Sequence, residues 1–460
     1  MKAWRTGPAT TLDGVGGPVV GRGPTLPPSA QNPVPMHASA PVAPWRGRWL
    51  VLAGIVLVAL NLRIAVAAVS PILGSVRADV ALSETLAGVL GAVPLASFAF
   101  FGSVAPLVAR RAGLEPTLIA AMLLSAVGEV TRSTVDTPGP FLGWSVIALA
   151  GMGMGNVLLP PLVKRYFPDR IGLVTAVYSM AMAVSTTVPA VLAAPVARQY
   201  GWRVSIASWA VIGFLAAVPW CVVIARSSAA RAGLRSILAR SPVDTPGLAA
   251  RHRTTGRVWR SPLAWGMAVT FGMNSLNTYV IFAWLPQVLA DAGLGFEVGG
   301  RWLGLFSILG LPLSFGGPLL AARMSNPYPV VLVLAACYVA GYVGLMLSPA
   351  RGTAVWMVLL GLAPGAFPVV LALINLRTRT SAGATSLSGF VQGAGYALAV
   401  PGPVLVGVLY DRTGGWTPVF AALIATAVVL AAAAVVACRP VVLEDTWGGG
   451  PPDGGPPPTR

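Results

Sequence analysis

The chain has 460 residues, 55% of them hydrophobic and only 10% charged. A soluble domain carries about 25% charged residues, so this composition excludes an ordinary soluble protein and points to the membrane class. The formal net charge of +17 would suggest nucleic acid on a soluble chain; on a membrane protein it reads as basic cytoplasmic loops, with no nucleic-acid role.

In chain order, residues 1–46 are rich in Pro and Gly and have no apolar core of a secretory signal. They read as a disordered N-terminal tail, with Met36 as a candidate alternative start. Apolar runs long enough to cross a bilayer then recur twelve times. They cover about 49–73, 85–109, 116–135, 141–163, 171–196, 204–225, 263–289, 302–322, 329–348, 354–376, 386–410 and 417–438. The expected fold is an all-α membrane protein with twelve transmembrane helices in two pseudo-symmetric six-helix bundles, 47–226 and 263–440. A basic cytoplasmic loop, 227–262, joins them, and a second disordered tail covers 441–460.

With the N-terminus placed in the cytoplasm, 23 of the 31 Lys and Arg residues fall on the inner side and seven outside. That asymmetry predicts both termini inside. The two bundles look like distant copies. Val93-Pro94-Leu95 is echoed by Leu311-Pro312-Leu313, Gly151–Gly155 by Gly361–Gly365, and Gly201-Trp202 by Gly415-Trp416, at an offset of about 214 residues. Six-helix halves related by an axis along the membrane normal, sharing a site at mid-depth, are the logic of secondary transporters.

Charged residues inside the runs are few. Arg63 lies past the middle of the first, where an unpaired charge is costly and usually marks a substrate or ion path. Its fork of donors suits a small anion. The plainer alternative is a tether to helix-end carbonyls or amides. Glu129 and Arg132 lie three residues apart on one face of the third run. They are either a boundary ion pair or a coupling pair in which Glu129 carries a proton. Asn61, Asn156, Asn274, Asn277, Tyr279, Asn375, Gln392 and Tyr396 are neutral polar groups at depth, each explicable as an interhelical hydrogen bond. Cys221, Cys337 and Cys438 show neither metal-site nor disulfide spacing. There is no nucleotide-binding loop and no catalytic cluster, so neither an enzyme nor a bound cofactor or metal is expected.

The motifs taken together resemble the cyanate/nitroimidazole porter branch of the major facilitator superfamily, from the first run to the twelfth. They are Asn61-Leu62-Arg63 with Ser70-Pro71; Gly155-Asn156 through Pro160; Lys164-Arg165 with Phe167-Pro168-Asp169-Arg170; Tyr279 with Ala283-Trp284-Leu285-Pro286; Leu387 through Phe390 with Gln392, Gly395-Tyr396 and Gly402-Pro403; and Asp411 through Trp416. Three positions depart from the pattern, one of them Glu129, an acid the branch does not lead one to expect. Ile64 stands where the branch has proline, which predicts a straighter first helix. Arg110 stands where the loop after the second helix usually has aspartate.

The resemblance implies a monomeric secondary active transporter in the bacterial cytoplasmic membrane. It would work by alternating access on a small anionic or polar solute, cyanate-like or nitroimidazole-like. Its partners are that small-molecule substrate and the lipid bilayer. Expected substrate-binding residues are Asn61, Arg63, Asn274, Asn277, Tyr279, Trp284, Gln392 and Tyr396, with Glu129 and Arg132 as coupling candidates. A broad-specificity drug exporter of the same superfamily remains an alternative. A membrane-embedded enzyme or sensor is the rival class, and it would require a catalytic cluster or signalling domain that the chain does not display.

Overall fold

The computed structural model describes residues 48–82, 84–226, 258–294 and 296–447. The N-terminal tail, most of the central loop and the segment from 448 onward lie outside the described residues.

Apolar chain in lipid must satisfy its own backbone polar groups, and the helix does so within one segment. The described residues form α1 (Trp49–Asn61), α2 (Ile64–Ala67), α3 (Leu73–Val80), α4 (Glu84–Ala112), α5 (Leu114–Arg132), α6 (Pro138–Tyr166), α7 (Ile171–Tyr200) and α8 (Trp202–Arg226) in the first half. The second half holds α9 (Pro262–Asp291), α10 (Phe296–Arg323), α11 (Tyr328–Leu347), α12 (Thr353–Leu362), α13 (Ala366–Leu376), α14 (Ser381–Ala399), α15 (Gly402–Thr413) and α16 (Trp416–Ala437). Short 3-10 turns, broken pieces and whole helices add up to the twelve expected crossings. Eleven helices among the described residues are long and apolar enough to cross a membrane by length and composition. The remaining crossing, α9, is 30 residues long, but Asn274, Asn277 and its hydroxyls dilute its apolar character. Large apolar side chains point outward, such as Phe100 at 64% and Val333 at 62% exposure. In water such faces would be an aggregation hazard; facing acyl chains, they are the lipid surface of a multi-pass membrane protein.

Arg110 and Arg111 close α4, Lys164 and Arg165 close α6, Arg226 closes α8 and Arg323 closes α10. These ends form one basic face. The described chain begins and finishes on it. Arg48, ahead of α1, binds the Asp169 carboxylate and the Tyr166 carbonyl. That guanidinium holds the Asp169 carboxyl below the usual carboxylate range. Beyond α16, Leu443–Trp447 folds as a 3-10 turn. This corrects the expected tail from 441. Leu443 is buried, and Glu444 accepts from the backbone amides of Arg379 and Thr380 ahead of α14, donors that no turn of that helix can satisfy.

The expectation of a straight first crossing is also overturned. Its ladder breaks between Asn61 and Ile64 although no proline is present, and Arg63 takes φ −121°. The Leu62 amide reaches only to the Ala59 carbonyl, and Ile64–Ala67 restarts on the Arg63 carbonyl. The physical reason lies in where the Arg63 side chain is held, described next.

Small residues let the first half close up. A Cβ on Gly151 would stand 2.6 Å from the Ser125 amide nitrogen, and one on Gly128 would stand 2.7 Å from the Ala148 Cα. Only glycine permits α5 and α6 to run backbone against backbone there.

Candidate functional site

At the break in the first crossing the Arg63 side chain leaves its own half. One guanidinium nitrogen donates to the Tyr279 hydroxyl of α9 at 3.0 Å, the other to the Tyr396 hydroxyl of α14 at 3.0 Å. Phe98 of α4 and Phe367 of α13 place ring centroids 5.3 and 5.5 Å from the guanidinium carbon, within cation–π range. Phe271 packs edge-on to Tyr396, and Phe98 packs against the same ring. The cation therefore sits in an aromatic box built from both halves, and the guanidinium residue keeps part of its surface accessible. Among the described residues no carboxylate pairs with Arg63. Its charge is met by two neutral phenol oxygens and two ring faces.

A second row of polar groups backs the box. Asn156 donates to the Tyr396 hydroxyl at 3.1 Å. Gln392 donates to the Asn156 carbonyl and to Ser388, and Ser388 donates to the Val157 carbonyl. Tyr396 thus accepts from two donors, which fixes its ring. Gln392 is fully buried and ties α14 to α6.

Of the eight expected solute-binding residues, the structure brings together Arg63, Tyr279, Tyr396 and, one layer behind, Gln392. The other four point elsewhere. Asn61 is fully buried and donates to Ser125 of α5 at 3.0 Å. Asn274 accepts from Tyr338 of α11 at 3.3 Å. Asn277 donates to Thr426 of α16 and accepts from Tyr342. Trp284 donates to the Pro403 carbonyl and packs near Trp416, clamping α15. In each case the side chain's partners lie within its own half. Helical spacing alone does not separate these residues from the box when the polar residues lie on several sides. Asn156, Phe98, Phe271 and Phe367 join the site without having been singled out for it. Asn156 was visible as a buried amide, whereas an aromatic in an apolar run carries no mark that separates it from packing.

Glu129 and Arg132 lie outside this box, in the first half. Both are buried, at 0% and 1% exposure. They form no hydrogen-bonded pair: neither Glu129 oxygen has a partner among the described residues, nor do Nε and Nη2 of Arg132. Arg132 reaches the Ala65 carbonyl at 3.4 Å.

The bonds joining the two halves have a direction. Beyond the Arg63 level they run Ser388 to Val157, Ser381 to the Pro161 carbonyl, Arg110 to Ser386, and Lys164 to the carbonyls of Asn375 and Thr378. All lie toward the basic face. Arg110, in the place of the usual aspartate, is itself one of these links. The halves are closed on that side.

Comparison with known proteins agrees with this architecture. The sequence model of the Major Facilitator Superfamily matches residues 51–400. The uncharacterized transporter YycB of Bacillus subtilis (strain 168) is 32% identical over 384 residues, 83% of this chain and 91% of that protein. The 2-nitroimidazole transporter of Escherichia coli (strain K12) is 32% identical over 376 residues, 81% of this chain and 91% of that one. The cyanate transport protein CynX of the same organism is 25% identical over 368 residues, covering 79% and 90%. Among solved structures, the proton:xylose symporter XylE bound to 6-bromo-6-deoxy-D-glucose superposes with a TM-score of 0.68 at 15% identity, covering 87% of this chain and 98% of that one; this likeness speaks to the fold alone. The chain is a transporter rather than an enzyme, and it belongs to the major facilitator superfamily.

Proposed function

We propose that this protein is a secondary active transporter of the bacterial cytoplasmic membrane, with the basic face and both termini in the cytoplasm. It moves a small, flat, anionic or strongly dipolar solute by alternating access. One observation carries the reading. A guanidinium stands at the junction of the halves, ringed by aromatics and free of any carboxylate counter-ion among the described residues. A charge at that depth is expensive unless a ligand answers it, and arginine offers a planar fork to a nitro group or small anion. The ring faces of Phe98 and Phe367 favour a planar guest. A nitro-substituted heteroaromatic satisfies both, as the name of one relative suggests; cyanate satisfies the charge with less ring contact.

Binding at Arg63 competes with its bonds to Tyr279 and Tyr396. The solute therefore acts on both halves at once, which alternating access requires. The test is exchange of labelled 2-nitroimidazole and of cyanate in proteoliposomes. Arg63→Ala abolishes exchange of the transported solute while folding and yield stay normal. Arg63→Lys keeps the charge, cannot span two phenols, and retains a minor fraction of the rate. Undiminished exchange in Arg63→Ala sinks the proposal.

A further inference from the structure

A second charged site lies in the first half, behind the helix break that presents Arg63. Glu129 sits on α5, fully buried, with both carboxylate oxygens unpartnered among the described residues. An unsatisfied buried carboxylate is costly, so its place in the fold calls for a ligand. Its surroundings are polar along one line. Four residues before it, Ser125 accepts from Asn61 of α1, and the Asn61 Oδ1 is also left without a donor. Three residues after it, Arg132 leans on the Ala65 carbonyl of α2 at the long distance of 3.4 Å. Ser133 follows directly. It lines a surface recess of about 450 Å³ together with Thr134, Asp136, Arg203, Val204 and Ala207. Glu129 therefore stands about one helical turn from Ser133, the residue that lines the recess.

The ligand that fits is a proton. A metal cation is disfavoured by the Arg132 guanidinium beside the acid. Other charges are remote or already engaged. The α6 helix carries none between Pro138 and Val163, and α4 carries its own at its ends, as Glu84, Arg110 and Arg111. From α8 only Arg203 approaches, and it is committed to Asp136 and the Ser133 and Val135 carbonyls. The first crossing offers Arg63, which is turned to Tyr279 and Tyr396.

We propose that Glu129 is a proton-binding site separate from the solute site, and that Arg132 relays its charge state to Arg63 through the α2 turn. The ionised acid draws Arg132 away from the Ala65 carbonyl. Protonation of the acid releases Arg132 to that carbonyl, in the turn that begins immediately after Arg63. The carboxylate takes one proton from a hydronium ion, one of whose O–H bonds breaks as the carboxylic O–H bond forms and water is left, and it returns the proton to water as hydronium after the halves have moved. No other group is exchanged.

This inference rests on the transport reading, and one experiment separates the two. Full-length protein in proteoliposomes is assayed with labelled 2-nitroimidazole for solute exchange at equal pH, and for accumulation under an imposed pH gradient of either sign. Glu129→Gln is expected to lose at least tenfold in gradient-driven accumulation while exchange stays within twofold of the parent. Arg63→Ala loses both, so failure of the solute site has a different signature. Accumulation by Glu129→Gln within twofold of the parent, or loss of exchange in step with accumulation, overturns the proton site. A measurement independent of both solute and variant folding uses the parent itself. The pH-difference infrared spectrum should show a buried carboxylic acid band that Glu129→Asp displaces. Absence of a titrating buried acid band in the parent also overturns the proposal.

Discussion

At the scale of single residues, Tyr396 does more than Tyr279. Its hydroxyl accepts from Arg63 and from Asn156, whereas the Tyr279 hydroxyl accepts from Arg63 alone. Removing an acceptor leaves a buried donor unsatisfied, at about 1–3 kcal/mol each. Tyr396→Phe strands two donors, the Arg63 guanidinium and the Asn156 amide that fixes the ring. Because the solute must displace these bonds to reach Arg63, Tyr396→Phe is expected to lower the KM for solute by roughly tenfold, equivalent to about 1.4 kcal/mol, and Tyr279→Phe by less. Initial rates of solute exchange across a concentration series measure both. Equal effects of the two variants would contradict this ranking. The same residues show where sequence is silent. Asn61 and Arg63 are two positions apart and so leave a helix on opposite sides, but nothing local says which side meets Ser125 and which the opposite half.

At the scale of elements, close packing of α5 on α6 depends on specific glycines rather than on glycine content. A Cβ on Gly151 would press on the Ser125 backbone, and forcing extra atoms into a packed contact costs about 1–3 kcal/mol. On the same helix, nothing lies within 4 Å of the place where a Gly143 Cβ would stand. Gly151→Ala should lower the unfolding midpoint of the detergent-purified protein, and Gly143→Ala should leave it unchanged or raise it slightly. A thermal melt of both variants checks this, and matching midpoints would mean the packing argument is wrong. The break between α1 and α2 belongs to this scale as well. The sequence lacks the proline that would signal it, and the break instead accompanies an arginine anchored to two phenols in the other half.

At the scale of the whole molecule, the halves are latched on the basic face. Lys164 donates to the carbonyls of Asn375 and Thr378 at the end of α13. These carbonyls lie where a helix leaves acceptors without intrahelical partners and where its dipole favours a cation. Charge-assisted bonds of this kind contribute about 1.5–3 kcal/mol, enough to shift a two-state balance tenfold or more. Lys164→Ala should therefore raise the population open on the basic face. Spin labels at Arg111→Cys and Arg323→Cys, exposed residues in opposite halves, would report longer distances in a background without native cysteines. An unchanged distance distribution would show that the latch lies elsewhere.

Apolar periodicity and basic-residue bias were enough to read twelve crossings and the basic face that holds both ends of the described chain, because lipid allows few backbone solutions and each crossing leaves a long local signature; the family came instead from the resemblance carried by the motifs between Asn61 and Trp416. Arg63 was legible for the same reason: a charge in such a run stands out by its cost. The box around it was decided by tertiary structure alone. Phe98, Phe271 and Phe367 converge from three separate helices, and Asn274 and Asn277 turn outward to Tyr338, Tyr342 and Thr426. No local pattern records which face of a helix meets the other half, since that depends on how two bundles are set against each other across hundreds of residues of chain.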